Sequence, residues 1–117
     1  MKIKVDKLGL LVDAQNDFIT GTLKNDFAKA KVPNIVNKIH YWDGAIIATH
    51  DAHFNKLQCQ SNWPPMEGKP YEETLEGQKL PVPHCIKLTE GYEIQKDILA
   101  ELQKKNEDGK HLFFSVD

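Results

Sequence analysis

Residues 11–20 combine an apolar run with two acids, Asp13 and Asp17, and an aromatic residue, Phe18. An ionised carboxylate at the end of a buried strand is costly to desolvate unless a ligand or a reaction uses it. We therefore interpret this stretch as a candidate functional site.

A second group with chemical potential follows another apolar run. Asp51 and His53 lie two residues apart, and a carboxylate and an imidazole in extended or turn backbone beyond a strand can converge on one cation. His84, which follows two prolines that stiffen the backbone, is a candidate third ligand. The spacing alone leaves an alternative open, in which Asp51 caps a turn and the histidines are ordinary loop residues.

The two cysteines, Cys59 and Cys85, have no metal-like spacing and do not form a disulfide framework. Cys85 lies beside His84, but adjacent side chains on an extended chain point to opposite sides. A buried structural thiol is therefore the favoured interpretation of Cys85.

Size and charge exclude several classes of protein. The chain has 117 residues and a formal net charge of −2 with mixed signs throughout, so nothing favours binding to nucleic acid or to an anionic membrane. No apolar run approaches the roughly 20 residues that span a bilayer, and the start lacks the apolar core of a signal peptide. We expect one small cytoplasmic domain.

Alternating strand and helix patterns must position these candidate residues. Apolar runs at residues 8–12 and 45–49 predict strands buried on both faces of a parallel sheet. Helical spacing predicts a helix over residues 27–41 and a second helix, with Ile94, Ile98, Leu99 and Leu102 on its apolar face, that ends near residues 106–109. A third strand is predicted at residues 111–116.

The order strand, helix, strand, loop, helix, strand predicts an α/β fold with parallel crossovers and with ligands at the carboxyl ends of the strands. Asp13, Asp51 and Asp117 each follow such an end. Residues 54–83 are too long for an ordinary connection and are predicted to be a functional loop or an insertion.

Three motifs resemble, in order, signatures of the nicotinamidase branch of the isochorismatase-like cysteine hydrolases: Asp13-x-Gln15-x-Asp17-Phe18, Thr49-His50-Asp51-x-His53, and Leu80-Pro-Val-Pro-His84-Cys85-Ile-Lys-x-Thr89-Glu90-Gly91. The resemblance implies a three-layer, Rossmann-type fold in which a six-stranded parallel sheet carries helices on both faces. Residues 1–117 would form a single incomplete domain, the amino-terminal half with the first three strands.

The resemblance also implies roles for individual residues. Asp13 would be the catalytic aspartate, which takes the proton of the nucleophile and returns it to the departing amine. The implied metal ligands are Asp51, His53 and His84, and the implied cofactor is a divalent metal, with zinc expected first. The same ligand types also suit iron and manganese. On the substrate side, Phe18 would pack on the ring of a small amide such as nicotinamide. Gln15 and Asp17 would be supporting hydrogen-bond residues, and Gln15 would also contact the substrate.

Two family residues have no secure match. The nucleophilic cysteine belongs to a later strand-to-helix turn, and the family lysine follows the third strand, so Lys110 aligns with it only if that strand is given up. The function is then either a metal-dependent cysteine amidase of which this chain is a part, or a non-catalytic member that keeps metal or ligand binding. A phosphatase of the haloacid dehalogenase type needs acids two residues apart, whereas Asp13 and Asp17 are four apart.

The incomplete sheet has a consequence for association. Without a further strand, residues 8–12 would form an apolar edge, which is an aggregation hazard unless another chain covers it. We expect a homo-oligomer or another association that covers this edge.

Overall fold

The computed structural model describes residues 4–53, 84–107 and 112–117. The predictions on the loop or insertion at residues 54–83, on Cys59 and on Lys110 lie outside these residues. None of the helices in the described ranges is both long and apolar enough to cross a membrane.

The sheet has three parallel strands, β1 (Leu8–Val12), β2 (Ala45–Thr49) and β3 (Phe113–Val116), in the order β1-β2-β3. The predicted α/β architecture with a parallel sheet is confirmed. Because all three strands run in the same direction, their carboxyl ends lie at one edge of the sheet, as the sequence predicts.

The helices are α1 (Asn16–Ile19), α2 (Asp26–His40) and α3 (Lys96–Glu107), and a 3-10 turn spans Glu90–Tyr92. Helix α2 begins where the Asn25 side chain accepts hydrogen bonds from the backbone N–H groups of its first turn, at 2.9 and 3.2 Å. Gln95 caps α3 in the same way, at 2.9 and 3.0 Å. These caps fix where the two long helices begin.

The core lies on one face of the sheet. Its β2 residues are Ile46 and Ala48, and α2 and α3 bury Val32, Ile39, Ile98 and Leu102 against them. Leu11 of β1 and Phe113 of β3 pack at the margin of this cluster. Both long helices therefore cover the same face.

The opposite face of the sheet, which we call the open face, is apolar and exposed. The register places Leu8, Leu10 and Val12 on the same face as Phe114 and Val116. Leu10 and Val12 are 65% and 66% exposed. The prediction that β1 is buried on both faces is therefore wrong for the described residues, because β1 is the edge of their sheet and no helix among them covers this face.

Candidate metal and active site

Asp13 is held at the end of β1 by the end of β2. Its backbone N–H donates to the carbonyl oxygen of Thr49 at 3.2 Å, and the Thr49 hydroxyl donates to its Oδ1 at 2.8 Å. The φ angle of Asp13 is 51°, in the left-handed region that few residues other than glycine adopt. Such strain persists where the surrounding structure fixes a residue, and it clusters at functional sites.

The three predicted metal ligands come together. Nε2 of His53 lies 3.2 Å from Oδ1 of Asp51, and Nε2 of His84 lies 3.2 Å from Oδ2 of the same carboxylate. One ligand atom from each residue lies within 4.8 Å of the other two. We refer to Asp51, His53 and His84 as the triad.

The chemistry of the triad fits a divalent cation. Two imidazoles and a carboxylate form a donor set used by zinc, iron and manganese sites. Nδ1 of His53 is buried and has no hydrogen-bond partner among the described residues, so Nε2 is the ring atom with a polar environment. Both imidazoles thus present Nε2 to the same carboxylate.

A short backbone bridge aligns the two segments that carry the triad. The N–H of His53 donates to the carbonyl oxygen of Cys85 at 2.9 Å, and the N–H of Lys87 donates to that of His53 at 2.8 Å. This parallel bridge pairs His53 with Ile86. It brings His84 beside His53, with ring centroids 5.0 Å apart.

Gln15 is fully buried, and its side-chain amide forms hydrogen bonds with the backbone of Asp51 and Tyr92. Nε2 donates to the carbonyl oxygens of Asp51 and Tyr92, both at 2.8 Å, and Oε1 accepts from the N–H of Asp51 at 2.9 Å. The amide is therefore a support for Asp51, and its contact with a substrate stays a prediction.

Asp17 connects the first segment with the one that carries His84. Its buried carboxylate accepts from the N–H of Cys85 at 2.8 Å through Oδ2 and from the N–H of Thr22 at 3.2 Å through Oδ1. Two glycines leave room for it: a Cβ atom would lie 2.2 Å from Oδ1 at Gly21 and 2.1 Å from Oδ2 at Gly91. The buried carboxylate needs both glycines.

Replacement of Gly91 by alanine is expected to lower the free energy of unfolding by roughly 2–3 kcal/mol, because the new methyl group overlaps a short, anchored carboxylate. Chemical denaturation followed by circular dichroism measures the loss. Ala100→Gly, a change of similar size at an exposed position of α3, is the control, with an expected loss of about 1 kcal/mol. A Gly91→Ala protein as stable as the parent would contradict this account of the Asp17 site.

Phe18 lies beside His84 of the triad. Its ring centroid is 6.0 Å from that of His84, with the ring planes tilted by 54°. The side chain is partly exposed. The predicted aromatic wall therefore lies next to the triad.

Cys85 is buried, as predicted. Burial, together with the negative charges of Asp51, Asp17 and Asp13, raises the pKa of its thiol to about 12. At neutral pH the thiol is uncharged, so it does not supply a thiolate nucleophile.

Asp117, the third acid at the carboxyl edge, is engaged elsewhere. It forms an ion pair with Lys87 and accepts a hydrogen bond from the Tyr92 hydroxyl, and these contacts hold its pKa below the usual range. His50 stacks on Tyr92 with centroids 4.9 Å apart, and its Nδ1 faces the Ser115 hydroxyl at 3.1 Å. Neither residue belongs to the triad.

Three contributors to the site escape prediction from the sequence. Thr49 holds Asp13, Gly91 makes room for Asp17, and the Cys85 N–H binds that carboxylate. A threonine as the last residue of β2, directly before the His50-Asp51 pair, is the one local signal that points to such a role.

Comparison with known proteins identifies the fold. No protein-family model and no curated protein matches the sequence. Among solved structures, nicotinamidase/pyrazinamidase PncA from Bacillus subtilis matches 92% of this chain with a TM-score of 0.60 and 17% identity, over 54% of its own chain. Yeast nicotinamidase Pnc1p, bound to the inhibitor nicotinaldehyde, matches 92% of this chain with a TM-score of 0.60 and 22% identity, over 55% of its own chain.

The Acinetobacter baumanii nicotinamidase matches 78% of this chain, with a TM-score of 0.52 and 25% identity, over 45% of its own chain. The chain thus spans about half the length of the structures that it matches. The predicted resemblance to the nicotinamidase branch is confirmed in the fold, and residues 4–53, 84–107 and 112–117 form part of the α/β fold of nicotinamidases.

Proposed function

We propose that this chain carries the metal-binding and proton-transfer residues of a metal-dependent cysteine amidase that hydrolyses nicotinamide or a similar small amide. The observation that carries the proposal is the convergence of Asp51, His53 and His84 within 4.8 Å at the carboxyl edge of a nicotinamidase-like sheet. In parallel sheets of this kind, ligands bind outside the carboxyl ends of the strands.

The triad would hold the ion through the Asp51 carboxylate and Nε2 of His53 and His84. A bound divalent cation supplies positive charge that orients a ring nitrogen or polarises a bound water. Phe18, beside His84, offers an aromatic surface for a flat ring. A planar, aromatic amide would contact both the bound cation and the ring of Phe18.

Asp13 would move the proton. Its carboxylate takes the proton from the attacking group and returns it to the departing amine, and the Thr49 hydroxyl orients it through Oδ1. Because Cys85 is fully buried and its pKa is raised to about 12, the nucleophile would come from outside the described residues. We also propose a cytoplasmic location, where a free thiol persists.

Ammonia release from nicotinamide, measured with the full-length protein loaded with Zn²⁺, Mn²⁺ or Fe²⁺, tests this function. Asp13→Asn is expected to lower kcat/KM by at least about 100-fold. The exposed Asp6→Asn, outside the site, is the control and should behave as the parent.

Three results have different meanings. Hydrolysis that depends on Asp13 supports the amidase. Saturable metal binding by the full-length protein without ammonia release supports a non-catalytic protein of the same fold. Absence of both contradicts the amidase and the binding protein alike.

A further inference from the structure

We infer that Gln15 and Asp17 are positioning residues, which hold Asp51 and His84 in metal-binding geometry before any ion binds. The inference rests on the proposed metal site and adds a function for two residues that do not themselves belong to the triad.

Gln15 fixes Asp51 through the backbone. Its amide accepts from the N–H of Asp51 at 2.9 Å and donates to the carbonyl oxygen of the same residue at 2.8 Å. The second proton of Nε2 goes to the carbonyl oxygen of Tyr92, so both amide protons are committed. With both of its backbone polar groups held by one buried side chain, Asp51 has little freedom to turn its carboxylate away from the histidines.

Asp17 fixes the chain immediately after His84. The N–H of Cys85 donates to Oδ2 of Asp17 at 2.8 Å, and this N–H belongs to the peptide unit that begins at the carbonyl of His84. Cys85 has a φ angle of 50°, a conformation that costs energy in any residue with a Cβ atom. A charge-assisted hydrogen bond to a buried carboxylate offsets that cost and keeps the turn that directs His84 toward Asp51.

The two positioning residues lie two positions apart on one segment, yet they reach ligands that are far apart in sequence. Gln15 contacts Asp51 across 36 positions, and Asp17 contacts Cys85 across 68. A single rigid segment therefore sets the distance between two ligand-bearing segments. Removal of such outer supports in metal sites typically weakens metal binding by about 10–100-fold.

The test is titration of Zn²⁺ into the metal-free protein as purified, with its association state recorded. Gln15→Met keeps much of the side-chain length but removes all three hydrogen bonds, and zinc affinity is expected to fall about 10–100-fold. Asn16→Ala is the matched control, because it removes one hydrogen bond from the same segment to the carbonyl oxygen of Glu90. Its zinc affinity should equal that of the parent.

A second pair of variants examines Asp17. Asp17→Ala is expected to weaken zinc binding, and Asp17→Asn, which keeps an acceptor oxygen for the Cys85 N–H, should restore part of the affinity. The visible absorption spectrum of bound Co²⁺ separates positioning from a merely structural role. Altered ligand geometry changes that spectrum in the folded variants, whereas a loss of stability alone leaves it as in the parent.

The zinc titrations distinguish failure of the inference from failure of the proposed metal site. A parent protein that binds zinc while Gln15→Met and Asp17→Ala bind it equally well, with unchanged Co²⁺ spectra, overturns the inference but leaves the metal site in place. A parent that binds neither ion overturns the metal site and the inference together. If Gln15→Met fails to fold, as judged by circular dichroism, Asp17→Ala decides: a zinc affinity and a Co²⁺ spectrum both equal to those of the parent overturn the inference.

Discussion

Replacement of Asp51 by alanine is expected to weaken zinc binding by at least about 100-fold and to leave the purified protein without stoichiometric metal. The Asp51 carboxylate faces Nε2 of His53 with one oxygen and Nε2 of His84 with the other, both at 3.2 Å. Without it two imidazoles remain, and a zinc site needs at least three protein ligands to hold its ion firmly. Titration calorimetry gives the affinity, and elemental analysis gives the metal content.

The exposed Asp6→Ala removes the same charge at a distance from the triad and is the control for the Asp51 variant. Its zinc affinity should match that of the parent, because an exposed charge is screened by solvent. Stoichiometric zinc in both variants would mean that the ion binds elsewhere and that the triad is not the metal site.

The open face and the edge of β1 lead to the second large effect. We propose that the protein self-associates through this region, since Leu10 and Val12 are 65% and 66% exposed beside an edge of β1 that no strand of the described residues pairs with. Leu10→Lys is expected to weaken association by roughly tenfold or more, because burial of a leucine side chain contributes about 1.5–3 kcal/mol and a charge opposes it. Sedimentation velocity across a range of concentrations measures the shift.

Phe27→Lys makes a comparable change on the outer side of α2, where Phe27 is 72% exposed, and is expected to leave association unchanged. A parent protein that sediments as a 13.3 kDa monomer and unfolds cooperatively would contradict the proposed association. Equal effects of the two substitutions would show that general surface hydrophobicity, and not the open face, drives self-association.

The sequence predicts the parts of this molecule that depend on local pattern. Continuous apolar runs locate β1 and β2. The position of Asp51 and His53 just beyond β2 predicts that they lie at the same edge of the sheet as Asp13, which the Thr49 hydroxyl at the end of β2 contacts. Helix α1 escapes prediction because four residues are too few to show a helical period. An apolar run also has the same pattern whether a helix covers it or not, so the open face is visible only in the structure.

The supports of the site are harder to predict for a different reason. The contact of Asp17 with Cys85 joins residues 68 positions apart, and no local pattern encodes it. The same is true of Gly91, whose lack of a side chain matters only because a carboxylate from α1 lies where its Cβ atom would be. Ligand types are recognisable from spacing, whereas the groups that hold the ligands in place depend on the tertiary fold.

The backbone bridge between His53 and the segment after His84 has a consequence for how the protein tolerates change in chain length. Because His53 is hydrogen-bonded to Cys85 and Lys87, the second and third triad residues lie on backbone segments that are neighbours in space although they are far apart in sequence. In general, the entropy of closing a flexible chain between two neighbouring points varies only with the logarithm of the chain length, so halving that length changes the free energy by about 0.6 kcal/mol. Insertions and deletions between the second and third triad residues can therefore accumulate while the ligand geometry stays the same.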